Sequence, residues 1–170
     1  RGDRDGYLGP KYKHWLRYTF SSQGRVKAGL IASQDAGEPF FSAQNATGYD
    51  FYSAYLMVNR WGRVKAAIVG RYRLRFGMGL ILNNSFGMGK LNTLATLGRS
   101  ANHIFAHSSR MEANYLQGAA ATVRLTKHLD LTAFASWRKI DVTLGPDSAS
   151  IATILQTGYH RTESENRRRP

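Results

Sequence analysis

Three arginines in strict alternation are the residues whose spacing first suggests chemistry. Arg71, Arg73 and Arg75 are separated by Tyr72 and Leu74. In a β-strand, side chains two residues apart point to the same face, so this spacing places three guanidinium groups in one row. Such a row attracts anions or pairs with carboxylates. The chain has 24 Lys and Arg residues against 11 Asp and Glu residues, a formal net charge of +13, so the row belongs to a wider basic surplus.

Other basic residues alternate with apolar residues in the same way in neighbouring segments. Together they predict one basic face that attracts anions: Lys11, Lys13, Arg17, Arg25, Lys27, Arg63, Lys65, Arg71, Arg73 and Arg75. Two interpretations of this face remain open. It lines a pore for an anionic solute or a polyanion, or it is neutralised by carboxylates of a plug or of further strands.

The other chemical motifs of the sequence are weak. His103 and His107 are four residues apart and would share one face of a helix as a metal pair, with Glu112 as the only nearby carboxylate. The glycine-rich stretches at 77–79 and 87–90 lack the strand, loop and helix context of a nucleotide-binding motif. There is no cysteine and no serine-nucleophile elbow. We therefore predict no enzyme activity, no metal and no cofactor.

β-Strands are the elements that must position the basic residues. From Arg63 to Leu80, even positions are apolar and odd positions are mainly basic, with Ala67 and Val69 as interruptions. A helix would scatter these arginines around its circumference, whereas a strand keeps them on one side. The pattern predicts that the apolar row of this strand contacts hydrocarbon, at Tyr72, Leu74 and Phe76.

Seven segments show this alternation, although both registers of the third are apolar and its facing is ambiguous. The segments are 11–20, 25–32, 49–60, 63–80, 113–127, 129–143 and 151–161. Short links at 22–24, at 61–62 and around His128 suit tight hairpin turns, while the links at 34–48 and 81–112 are long. Short turns on one rim and long loops on the other are typical of outer-membrane barrels.

The predicted fold is therefore all-β, an antiparallel up-and-down transmembrane β-barrel segment of about seven strands. Residues 1–170 form a single segment, which we expect to be a fragment of a larger barrel because bacterial barrels have an even number of strands. Aromatic residues near the strand ends fit interfacial girdles: Trp15, Tyr18, Tyr49, Tyr52, Trp61, Tyr115 and Trp137. The alternative for these aromatics is the core of a soluble β-sandwich.

A family resemblance rests on the second half of the chain. The runs that carry it are 70–82, which contains Arg73-Leu74-Arg75-Phe76-Gly77-Met78-Gly79-Leu80, then 85–90, 117–122, 134–141 and 157–165. In this order they resemble the barrel region of outer-membrane proteins that carry an upstream helix-hairpin-helix domain. Ser85 stands where the loop pattern of that family has its first glycine. The resemblance implies a fold and a location rather than an activity.

Two functions from different classes follow from the sequence. The first is an outer-membrane β-barrel protein of a Gram-negative bacterium with a structural, transport or surface-assembly role. Its partners would be outer-membrane lipid, the remaining strands of the barrel or other outer-membrane subunits, and an anionic solute or polyanion. The alternative is a soluble basic β-sheet module that binds nucleic acid. The two differ in what covers the apolar face, because a soluble sheet must bury it under protein.

Overall fold

The computed structural model describes most of the chain as β-strands and loops. It describes Gly6, residues 8–41, Asn45, and residues 48–77, 102–111, 114–139, 142–144, 151–154 and 161–163. The strands are β1 (His14–Ser22), β2 (Val26–Gln34), β3 (Phe51–Trp61), β4 (Val64–Arg75), β5 (His103–Ala106), β6 (Leu116–Arg124), β7 (Asp130–Ser136), β8 (Val142–Leu144) and β9 (Ile151–Ile154). In these ranges, no helix is long and apolar enough to cross a membrane.

Seven of the strands form one open antiparallel sheet. Its order is β1-β2-β3-β4-β6-β7, and β5 pairs with the last four residues of β4. Tyr72 pairs with Leu116 of β6 and with Ala106 of β5, so β4 has a neighbour on each edge at this point. β8 and β9 pair with each other in a separate two-stranded sheet. The predicted all-β class and the antiparallel order of consecutive strands are confirmed.

The connections between strands differ in length at the two ends of the sheet. Tight turns join β1 to β2, β3 to β4 and β6 to β7, and we call this end of the sheet the turn end. The longer links from β2 to β3 and from β4 to β6 lie at the opposite end, the loop end. This alternation of short and long links agrees with the sequence prediction.

Three predicted boundaries are wrong. The fourth segment was expected to continue to Leu80, but β4 ends at Arg75. β5 lies inside the predicted 81–112 loop, where four residues complete the ladder of β4. The sixth segment was expected to run unbroken to Thr143, but its residues form β7 and the separate β8. Residues 42–44, 46, 47, 78–101, 112, 113, 140, 141 and 155–160 of the predicted strands and loops lie outside the described residues.

One face of the sheet is apolar and exposed. The pairing register places Leu30 beside Tyr18 and Ala54, and Leu56 beside Ala28 and Val69. The same register continues through the alanines of β6 and β7. Eight large apolar side chains of this face are between 43% and 62% exposed: Leu16, Tyr18, Phe20, Leu30, Tyr52, Leu56, Val69 and Leu131. We call this surface the exposed apolar face.

The opposite face of the sheet holds the core. Its buried cluster contains Tyr55, Met57, Ile68, Tyr72, Leu74, Ile104 and Ala120. The hydroxyl group of Tyr72 donates to the carbonyl oxygen of Ala135 at 2.7 Å, so the buried phenol is satisfied. Tyr72 and Leu74 have no exposed surface and Phe76 packs against the cluster. The expectation that these three side chains contact hydrocarbon is therefore wrong.

A pair of glycines stands side by side in the middle of the sheet. Gly70 of β4 pairs with Gly118 of β6, and both have a positive φ, +107° and +151°. A Cβ atom on Gly70 would overlap the carbonyl oxygen of Ala54 and approach the Cα atom of Tyr55 to 2.9 Å. Only a residue without a side chain fits this conformation and this close approach. The third and fourth strands therefore depend on glycine at this point.

Candidate functional site

The ten predicted basic residues do not form one continuous row. Four lie toward the turn end: Arg25, Lys27, Arg63 and Lys65. The other six lie toward the loop end: Lys11, Lys13, Arg17, Arg71, Arg73 and Arg75. The register places Arg17 beside Ile31, and Lys27 beside Met57, so both side chains start from the core face rather than from the exposed apolar face.

Some of these basic residues have acidic partners. Lys65 at the turn end forms an ion pair with Asp130 of β7, whose carboxylate also lies 4.0 Å from Arg124. At the loop end Lys13 pairs with Asp35. These ion pairs are partly exposed, so each contributes little to stability. They show that neutralisation by carboxylates applies to individual members of the predicted basic face.

The loop end also contains a cluster of arginines and aromatic rings around Tyr115. The guanidinium carbon of Arg71 lies 4.4 Å from the ring centre of Phe51 and 4.5 Å from that of Tyr115. The guanidinium carbon of Arg138 lies 4.6 Å from the same Tyr115 ring, and Arg138 donates to the Tyr115 carbonyl oxygen. Cation–π contacts of this kind hold a guanidinium plane in place.

His107 lies beside this cluster and is almost fully buried. Its ring centre is 5.0 Å from that of Tyr115, and its backbone N–H donates to the carbonyl oxygen of Arg71. Its Nε2 atom lies 3.0 Å from the carbonyl oxygen of Met111, an acceptor, so Nε2 carries the proton. Burial, followed by repulsion from Arg73, Arg71 and Arg138, lowers the pKa of His107 to about 4. The imidazole is therefore neutral at physiological pH.

This arrangement predicts a specific pH dependence of stability. The folded pKa of His107 is about 4 and the ordinary value is 6.5, so the unfolded chain takes up a proton first as the pH falls. The contribution of His107 to the free energy of unfolding is fully present above about pH 6.5 and is lost progressively toward pH 4. At pH 5 the loss is about 2 kcal/mol. Urea unfolding at pH 7.5 and pH 5 measures this loss. In a His107→Gln variant, the free energies of unfolding at the two pH values should differ by about 2 kcal/mol less than in the unmodified protein. An unchanged difference in unfolding free energy would contradict the buried neutral imidazole.

The two histidines considered as a metal pair do not form one. β5 begins at His103 and ends at Ala106, and His107 follows it directly, so the segment is extended rather than helical. Side chains four residues apart along a strand are about 13 Å apart, too far to share an ion. Within the part of the chain that the structure describes, no three histidines, cysteines or acids are close enough to hold a metal. Glu112 lies outside the described residues.

Sequence patterns identified only part of the group formed by Arg71, Arg73, His107, Tyr115 and Arg138, which we call the loop-end cluster. Arg71, Arg73 and Arg75 were predicted as basic residues of one strand, whereas Arg138 follows β7 and was not included. Its approach to Tyr115 depends on the pairing of β6 with β7, which places Gln117 and Trp137 in backbone contact. His107 was considered only for metal binding. The alternation Asp130, Thr132, Ser136, Arg138 was the one signal for Arg138 in the sequence.

Comparison of the chain with family models, with curated proteins and with solved structures finds no match. The resemblance to outer-membrane proteins with an upstream helix-hairpin-helix domain stays a prediction.

Proposed function

We propose that this chain is part of a membrane-spanning β-barrel in the outer membrane of a Gram-negative bacterium, with a structural, transport or surface-assembly role. The observation that carries the proposal is the exposed apolar face. It extends over all six strands of the main path through the sheet, and no described part of the chain forms a layer over its large side chains. Exposed apolar patches of this extent mark contact with a membrane or with another protein.

The distribution of charge supports lipid as the partner of this face. Residues 51–59 of β3, 66–70 of β4, 116–123 of β6 and 131–136 of β7 contain no Asp, Glu, Lys or Arg. The register aligns them, because Tyr55 pairs with Gly70, Gly70 with Gly118, and Gly118 with Ser136. Charged residues begin on both sides of this zone, which we call the uncharged band. Membrane barrels show such an apolar band between two polar ends.

The two edges of the sheet support the presence of further strands. Among the strands that the structure describes, β1 and β7 each have a neighbour on one edge only. Trp15 of β1 and Phe134 of β7 start from the core face, yet they are 50% and 47% exposed. An open edge with exposed aromatic side chains is a site for pairing with another strand. In the proposed barrel, strands beyond β1 and β7 or another outer-membrane subunit occupy these edges.

The alternative, a basic sheet that binds nucleic acid, requires a different exposed surface. Such a module presents lysines and arginines to phosphates along its accessible face. Here the exposed apolar face carries no charged residue within residues 51–59, 66–70, 116–123 and 131–136, whereas the exposed Arg17 and Lys27 start from the opposite face. The arrangement of charge therefore favours lipid over nucleic acid as the partner of the exposed apolar face.

Solubility and gel mobility of the full-length protein test the proposal. We expect the protein to need detergent to stay in solution and, without boiling, to migrate differently on an SDS gel from the boiled sample, because closed barrels resist SDS until heated. A nucleic-acid electrophoretic shift measured on the same preparation tests the alternative. A protein that stays monodisperse without detergent and migrates identically with and without boiling would refute the membrane barrel.

A further inference from the structure

Two arginines at the end of β4 contain buried nitrogen atoms without acceptors. The Nε atoms of Arg73 and Arg75 are buried and make no hydrogen bond. The Nδ1 atom of the neutral His107 ring is also buried without a partner, but it is an acceptor, which a donor such as a P–OH group would satisfy. His107 itself is only 2% exposed. A buried guanidinium N–H without an acceptor is costly, and in native proteins such groups are commonly satisfied by a water or an ion.

No carboxylate in the part of the chain that the structure describes forms an ion pair with Arg73, Arg75 or Arg138. The ion pairs seen there include those of Lys13, Lys65 and Arg124. Arg71, Arg73 and Arg138 all lie close enough to His107 to act on its charge. The loop end therefore concentrates positive charge around one buried ring, and this concentration favours a multiply charged anion.

We propose that Arg73, Arg75 and Arg138 form, together with His107, a binding site for a phosphate group at the loop end of the sheet. Guanidinium groups bind phosphate with parallel N–H···O bonds, and a dianion matches several arginines better than a single carboxylate does. Tyr115 holds Arg138 by a cation–π contact, which reduces the ordering that binding requires.

The phosphate group has two possible sources with the same chemistry. One is a lipid headgroup that ends in a phosphate monoester, which would meet the loop end where the uncharged band stops. The other is free phosphate in solution. The site lies beyond the uncharged band, so it does not depend on the proposed membrane location, and a soluble protein would bind free phosphate equally well.

NMR of the arginine side chains in the full-length protein tests the site. Inorganic phosphate is added at constant ionic strength, and the ¹⁵N-labelled Nε–H signals of Arg73 and Arg75 are expected to shift and saturate. Since a bound dianion offsets the repulsion from the arginines, the pKa of His107 is expected to rise above about 4 at the same time. A second titration compares phosphatidylcholine vesicles with and without phosphatidic acid. A response to the vesicles alone identifies the lipid headgroup as the source, and a response to inorganic phosphate identifies the free ion.

Two double variants with equal loss of charge separate a site from a general charge effect. Arg73→Gln with Arg75→Gln should weaken phosphate binding by about tenfold for each arginine removed. Arg60→Gln with Lys127→Gln, both exposed at the turn end, should change it less than about twofold. If the first variant does not fold, Arg73→Lys replaces it in the test. This variant keeps the positive charge but lacks the paired N–H donors of a guanidinium group, so it is expected to bind phosphate with intermediate affinity. Equal weakening in both double variants, or no saturable shift in the unmodified protein with either probe, overturns the proposal.

Discussion

Replacing Leu56 with arginine is expected to destabilise the protein by about 2–4 kcal/mol when it is folded into phospholipid vesicles, the cost of an arginine on the lipid face near the bilayer midplane. Leu56 lies in the uncharged band of β3, is 50% exposed, and pairs with Ala28 and Val69 on the exposed apolar face. The free energy of unfolding is measured by urea titration in vesicles. The large expected effect comes from the contact with hydrocarbon, because in water the same half-exposed side chain could be replaced at almost no cost in free energy.

The matched control is Trp61→Arg at the turn end of the same strand. Trp61 is 75% exposed and lies outside the uncharged band. An arginine there would lie near the lipid interface, where its cost falls to about 0–1 kcal/mol. If Leu56→Arg and Trp61→Arg are equally mild, the exposed apolar face does not contact hydrocarbon, and the membrane-barrel proposal fails.

Periodicity was sufficient to predict the strands that form most of the sheet. In β1, β2, β6 and β7, polar or small residues occupy one register and apolar residues the other, as in Arg17 and Lys27 against Tyr18 and Leu30. The register confirms these two sets as opposite faces. The tight turns at 22–24 and 61–62 were predicted equally well from the sequence, because Gly24 and Gly62 can adopt the positive φ that tight hairpins require and have it in the structure.

Periodicity did not show which apolar register of β4 faces outward. Its even residues were assigned to lipid, and Ala67 and Val69 were treated as interruptions. In the structure Val69 is 62% exposed beside Leu56, while Ile68 is in the core. Both registers of this strand are apolar in the uncharged band, so alternation alone carries no information about direction. The buried C-terminal end of β4 depends on pairing with β5, a contact between distant parts of the sequence.

The loop-end cluster could be predicted only in part for the same reason. Arg71 and Arg73 are neighbours in one strand, but His107, Tyr115 and Arg138 come from three other parts of the chain. Their proximity is created by β4 pairing with β5 and β6, and by β6 pairing with β7. A single sequence indicates that basic residues alternate, whereas the choice of partners requires the register of the whole sheet.

Gly70→Ala is expected to destabilise the protein by at least about 3 kcal/mol. A non-glycine residue in a sparsely populated backbone conformation costs about 1–3 kcal/mol, and here φ is +107°. The added methyl group would also overlap the Ala54 carbonyl oxygen, which belongs to the backbone of β3 and cannot rotate away. Urea unfolding, or the folded fraction on an unheated gel, measures the loss.

Gly62→Ala separates these two contributions. Gly62 has a φ of +59° in the β3–β4 turn, and a Cβ atom there would meet nothing within 4 Å, so only the conformational cost of about 1–2 kcal/mol applies. The difference between the two variants measures the close approach of β3 to β4 beside the Gly70–Gly118 pair. That approach precedes Tyr72 and the arginine row, so its loss should also remove the phosphate response of Arg73. A Gly70→Ala protein as stable as Gly62→Ala would mean that β3 and β4 do not meet in this register, and the positions assigned to the exposed apolar face would then have to change.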